Sequence, residues 1–210
     1  MGVFDGEVGR INTVVKNGTI TNFGWGILLT FSTRSTVRNV TLSGNTEGME
    51  IGPDSLVKDC TVQGNLRTGI EAGDRVQVEG CLIEQNNTDR DSVSGGLIGG
   101  QRTLATRNIV RDNGIVGIRV GSSSTVTHNT LQFNVGDGIS VGPKSLVSSN
   151  TSNDNDEDGI EAVCPSTITH NTALGNDGLG INTVGDGCVV LHNITPPVGC
   201  LTGDGESPLC

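Results

Sequence analysis

The chain has 210 residues, 32 of them glycine, and its 23 acidic and 13 basic side chains give a formal net charge of −10 with only 2% aromatics. At roughly 150 residues per domain this length argues for one domain spanning residues 1–210. No apolar run reaches the ~18 residues a membrane-spanning helix needs, and an acidic chain without a Lys/Arg cluster is a poor partner for a phosphate backbone, so neither a membrane span nor nucleic acid is expected.

Only 33% of the residues are hydrophobic, a composition that reads as disorder unless the apolar residues are patterned. Met1 to Gly9 shows no basic segment followed by an apolar stretch, so no secretory leader is visible there. Six cysteines, three of them after residue 180, point to an oxidising compartment, and the chain is expected to be extracellular or at a cell surface.

In chain order a Gly-apolar-x-apolar tetrad recurs as GILL from Gly26, GMEI from Gly48, GIEA from Gly69, GLIG from Gly96, GIRV from Gly117, GISV from Gly138, GIEA from Gly159 and GINT from Gly180. The steps are 22, 21, 27, 21, 21, 21 and 21 residues. About nine residues after each tetrad a second pattern repeats with the same period: VRNVTL, VKDCTV, VEGCLI, ATRNIV, VTHNTL, VSSNTS, ITHNTA and VLHNIT. Asn45, Asn65, Asn86, Asn113, Asn134, Asn155 and Asn176 form a third column. Each repeat therefore holds three short alternating pieces bounded by Gly, Asn or Asp, the signature of strands and not of a 3.6-residue period.

Every repeat runs in the same direction, so successive coils stack in parallel about 4.8 Å apart and pair their backbones with the coil above and below. The expected fold is an all-β parallel β-helix of about eight coils of ~21 residues, three short strands per coil, over residues 14–195, with 196–210 as a C-terminal cap. Alternation turns Ile118, Val120, Val126 and Leu131 inward in one coil, and Ile139, Val141 and Leu146 or Val147 in the next. Asn108, Asn129, Asn150, Asn171 and Asn193 form a structural ladder: stacked amides partner one another, and Asn tolerates left-handed turns.

These columns, with the N-x-x-x-GI-x-V coil, resemble the right-handed parallel β-helix proteins of the pectate-lyase-like superfamily from about Val14 to Thr195. The resemblance implies the right hand. It is weak for function, since that coil serves lyases, hydrolases, epimerases and phage tailspikes. No DPHE of the family's alginate epimerases appears, nor the NTD, DD and GHG set of its polygalacturonases.

Function is sought where the repeat breaks. The longest coil inserts residues within NTDRDSVSG, which carries Asp89, Arg90 and Asp91 on a projecting loop. DNDEDG places Asp154, Asp156 and Asp158 at alternate positions, a spacing of oxygen ligands that suits Ca²⁺, although Pro165 stands where an EF-hand loop needs its bidentate Glu. The outward position of the tetrad strand reads Leu28, Glu50, Glu71, Ile98, Arg119, Ser140, Glu161 and Asn182. On it Glu50, Glu71, Arg119 and Glu161 are the catalytic candidates, Glu50 and Glu71 being neighbours whose repulsion raises one pKa. His128, His170 and His192 share one repeat position and read as turn residues, since the first two lie two coils apart, ~9.6 Å.

Cys60 and Cys81 replace Asn in the ladder and are expected as stacked thiols. The preferred pairing of the other four is Cys164 with Cys188 and Cys200 with Cys210. Two readings of function follow. One is a secreted or surface-associated solenoid with a structural or binding role, self-assembling end to end through its open coil ends. The other is a carbohydrate-active enzyme or binder, lyase- or epimerase-like, acting on an acidic polysaccharide. The absence of Tyr and the single Trp favour the first, because sugar clefts usually carry aromatic platforms. Neither requires a cofactor, and Ca²⁺ is the one the acidic motif accommodates.

Overall fold

The computed structural model describes residues 2–5, 9–87, 94–196 and 200–201. Among them every regular element is a β-strand, and every strand pairing is parallel. Ten strands, from Val3–Phe4 through the tetrad strands to Cys200–Leu201, stack as sheet 1. It extends one strand beyond the eight tetrads at each end, because a backbone edge can be continued by residues that lack the tetrad. The remaining fourteen strands form one sheet covering two faces, thirteen of them in a single hydrogen-bonded path and Val14–Thr21 pairing off it with Thr36–Ser43. The join is Thr36–Ser43, which pairs with Leu56–Lys58 through its first half and with Thr61–Gln63 through its second. We call the faces sheet 2, which includes Thr125–Thr127 and Leu146–Ser148, and sheet 3, which includes Thr130–Gln132 and Thr151–Asn153.

Register puts like on like. Ile118, Ile139, Ile160 and Ile181 align across sheet 1, Val126, Val147 and Ile168 across sheet 2, and Val110 and Leu131 across sheet 3. All are fully buried. Of the two alternatives in one coil, Val147 is inside and Leu146 is exposed. Each such aliphatic side chain contributes roughly 1.5–3 kcal/mol when removed from water.

The corners explain the polar columns. Three residues per coil have φ near +60°: Arg107, His128, Ser149, His170 and His192 occupy one such file between sheets 2 and 3. The ladder asparagine is the next residue, so the left-handed conformation expected of Asn falls on its predecessor, and the amide turns inward. Asn150 Oδ1 accepts from the backbone N–H of Asn129 at 2.9 Å and from its Nδ2 at 3.0 Å, and Asn150 Nδ2 donates to Val126 O, Ser148 O and Asn171 Oδ1. The same exchange runs from Asn108 to Asn193 and, at the sheet 3 to sheet 1 corner, from Asn45 to Asn176. A third file joins Thr103, Ser124, Ser145 and Ser166 by N–H to Oγ bonds.

The tetrad glycine answers to crowding and not to a left-handed φ. A Cβ on Gly117 would lie 2.6 Å from Gly138 O and 2.9 Å from Asn134 Nδ2, so only a residue without one lets the coil pass beneath its neighbour.

Cys164 and Cys188 are bonded across adjacent coils with 4.9 Å between Cα atoms. Cys60 and Cys81 are free and buried, with the Cys60 N–H 3.5 Å from Cys81 Sγ. The hydrogen bond with Cys60 and burial push the Cys81 thiol up. The expected Cys200–Cys210 bond and the 196–210 cap fall largely outside the described residues.

Two outcomes follow. Asn150→Ala strands the Asn129 N–H and should lower unfolding free energy by about 2–4 kcal/mol in chemical denaturation. Replacing both Cys164 and Cys188 by Ala should cost about 3 kcal/mol, the loop-closure term for the 24-residue separation, read by the same titration.

Candidate functional site

Inside, the stack is saturated by its own columns, so chemistry has to lie on outward positions. Sheet 1 offers a continuous file of them, registered residue against residue from Leu28 through Glu50, Glu71, Ile98, Arg119, Ser140 and Glu161 to Asn182. The four catalytic candidates thus share one face, but Glu50 and Glu161 are five coil steps apart, ~24 Å. They form two separate groups.

In the first group Glu50 and Glu71 are directly paired neighbours. They border a groove of about 260 Å³ whose floor is Gly52, Pro53 and Gly73, with Thr30 in its wall. The Thr30 hydroxyl is buried and finds no hydrogen-bond partner among the described residues. Burial, and next the Glu50 charge, raise the Glu71 pKa. Glu47, one row over, is also raised by burial, partly offset by Arg67 at 3.6 Å. By contrast, hydrogen bonds from Arg107 and Lys58 hold Glu79 on sheet 2 down to about 2. That cluster is a salt-bridged staple, not a site.

The second group unites two expectations and adds a residue that neither named. Glu161 accepts from Ser140 Oγ at 3.0 Å. Asp158 Oδ1 accepts from Leu179 N–H at 2.6 Å and its Oδ2 from Asn182 Nδ2 at 2.8 Å. Asp137, one coil earlier, accepts the Asp158 N–H at 3.1 Å. Burial pushes the Asp137 carboxyl up to about 7, with Glu161, Asp158 and Glu157 adding repulsion. A sequence signal for Asp137 existed: two successive coils place Asp immediately before the tetrad glycine, in GDGI and EDGI.

Asp154, Asp156 and Asp158 are not brought together. Asp154 is the left-handed corner residue, Asn155 turns inward to Asn176, and the Asp158 oxygens are taken by protein donors. Among the described residues no three His, Cys, Asp or Glu side chains converge as a metal-holding group. His170 and His192 stack with ring centroids 5.1 Å apart, each on a left-handed corner, as does His128. Asp89, Arg90 and Asp91 lie outside the described residues. Arg119, beside that loop's coil, has no ion pair with a described residue.

Asp137 has a pH signature. A carboxyl whose folded pKa is raised binds its proton more tightly in the native state, so its contribution to stability is fully present below the unfolded value of 3.8 and is lost progressively as pH rises through about 7. Asp137→Asn should therefore stabilise the protein at pH 8, by no more than about 2 kcal/mol after discounting for partial exposure. Thermal unfolding from pH 4 to 8 should show a flatter dependence in the variant.

The sequence matches the family described as "Right handed beta helix region" over residues 7–88 and 51–195. No curated protein matches it. Among solved structures it is similar to the A-module of the mannuronan C-5 epimerase AlgE6 of Azotobacter vinelandii, with a TM-score of 0.72 and 16% identity over 89% of this chain and 58% of that one. The Dettilon tailspike protein gives 0.65 and 14%, covering 94% of this chain and 45% of that one. The periplasmic alginate epimerase AlgG gives 0.57 and 12%, covering 78% and 50%. The chain thus spans about half the length of these structures, and at such identities the likeness is one of fold. With matching columns over nearly its whole length, the chain belongs to the right-handed β-helix family.

Proposed function

We propose that this solenoid is an extracellular binding protein that presents the outer face of sheet 1 to an acidic polysaccharide. The observation that carries the reading is the groove in which Glu50 and Glu71 stack across adjacent coils beside the unpartnered Thr30 hydroxyl. Its Gly and Pro floor lets a sugar ring lie against backbone. Glu71, whose pKa is raised, donates an O–H to a sugar oxygen while it is protonated, and the Glu50 oxygens accept from hydroxyls. Arg119, two coil steps beyond Glu71, supplies the cation for a uronate carboxylate. The similarity in fold to proteins named as alginate and mannuronan epimerases and a tailspike supports this substrate class. The Cys164–Cys188 bond supports an oxidising compartment. End-to-end stacking of copies belongs to the structural side of the same reading: among the described residues Val14–Thr21 pairs with a strand on one side only.

A second reading, proton transfer on the bound sugar as in an epimerase or lyase, is favoured by Asp137. A carboxyl raised to about 7 beside Asp158 and Glu161 has the proton affinity of a general acid or base.

Affinity electrophoresis in uronate polymers, with and without Ca²⁺, tests the binding reading. Retardation should weaken as pH rises through the Glu71 titration and should be pH-independent over that range in Glu71→Gln. Glu71→Ala should lose roughly tenfold in affinity. Epimerised or unsaturated products formed by the wild type and lost in Glu71→Gln or Asp137→Asn would replace binding with catalysis.

A further inference from the structure

A larger concavity lies away from sheet 1, at the corner leading into sheet 2. It is a trough of about 430 Å³ running parallel to the stack across four coils, a length of ~14 Å. One wall is the corner file with Ser123, Lys144 and Pro165. The other is the first outward residue of each sheet 2 strand, registered as Thr125 against Leu146 against Thr167. Hydroxyls and apolar surface therefore alternate along the sheet 2 wall, while the corner wall presents a hydroxyl, an ammonium and a Pro ring in turn. Beneath them Ser124, Ser145 and Ser166 face inward, each accepting the backbone N–H of the preceding coil, so the floor is locked by the core.

Charge singles out Lys144. Residues 120–210 contain ten Asp or Glu and one Lys or Arg, whereas residues 1–119 contain thirteen and twelve. The sole cation of that acidic half is Lys144. It is exposed, it has a left-handed φ of +63° that sets its side chain at the corner, and it has no ion pair with a described residue. The occupant must then satisfy three conditions at once. It has to be extended along the axis. It has to offer both CH faces and hydroxyl edges, as a pyranose chain does. It also has to carry one carboxylate, not many, because Lys144 is the one charged residue in the lining and the net negative charge of residues 120–210 disfavours a polyanion that a single ammonium cannot neutralise.

We propose that this trough is a second glycan site, which takes a short oligosaccharide with a single acidic sugar, its carboxylate on Lys144, flanked by neutral sugars. The proposal rests on the carbohydrate reading above but not on the sheet 1 groove. It narrows the ligand from a homopolymer of uronates to a heteroglycan at this face.

The test is amide-shift NMR with calorimetry on the intact protein. The probes are a trisaccharide with a central uronate between two neutral hexoses, its carboxyl-reduced analogue, a uronate trimer and acetate. For the mixed trisaccharide, shifts should centre on Thr125, Leu146 and Thr167. Its affinity should fall roughly tenfold or more on carboxyl reduction and in Lys144→Met, as expected for a hydrogen-bonded charge pair. The uronate trimer should bind more weakly than the mixed one. Equal affinity of wild type and Lys144→Met, a tighter uronate trimer, or acetate reproducing the shifts would each overturn the proposal. Shifts confined to the Glu50–Glu71 groove would overturn it and leave the carbohydrate reading standing. No shift anywhere with any glycan would overturn both.

Discussion

The structure depends on the amide ladders. A coil of about 21 residues with three left-handed corners is costly to order, since a non-glycine residue in that conformation gives up roughly 1–3 kcal/mol and the coil alone has no interior. What makes it stable is that each ladder Asn accepts the backbone N–H of one neighbour and donates to carbonyls and to the amide of the other. The interaction exists only between coils, and so does the closure of the aliphatic core. Stability is therefore a property of the stack and grows by nearest-neighbour contacts.

The same constraint shapes the outer surface. Stacking in register sets outward side chains of equal repeat position side by side, so two acidic coils in succession oblige two carboxylates to share a site. Glu50 with Glu71 and Asp137 with Asp158 are both products of this rule. In a conventional fold such pairs need distant parts of the chain to meet. Here a substitution at one position of one coil creates them, and partial burial raises the pKa of Glu71 and of Asp137. Sheet 1 thus carries two acidic groups separated by Ile98 and Arg119.

Much of the fold was legible because its rules are periodic. The tetrad glycines, the aliphatic files and the asparagines each report the same coil, and the stacked thiols of Cys60 and Cys81 and the turn role of the histidines followed from repeat position, whereas the Cys164–Cys188 bond was one preferred pairing among three. What was not legible was anything decided by direction within a coil. DNDEDG has the spacing of a ligand set, but Asn155 belongs to the interior ladder, and among the described residues these carboxylates form no metal-holding group. The left-handed residue precedes the ladder Asn, which composition cannot reveal. Asp137 escaped because an isolated Asp before a glycine reads as a turn residue. Only the neighbouring coils show that it is half-buried among Asp158, Glu157 and Glu161.

The ladder is not uniform along its length. From Asn108 onward the file between sheets 2 and 3 is all asparagine, whereas in the two coils below it is Cys60 and Cys81. A thiol fills the space but returns a weak bond where an amide returns two strong ones. In those storeys the amide exchange is left to the other file, Asn45 to Asn65 to Asn86, beside the strand pairing and the aliphatic core. The ladder bonding is thus uneven along the rod, thiols standing in it near one end and a disulfide joining adjacent coils near the other. The thiol seam lies in the coils that carry the Glu50–Glu71 groove, whereas the trough around Lys144 lies among coils with the unbroken asparagine ladder.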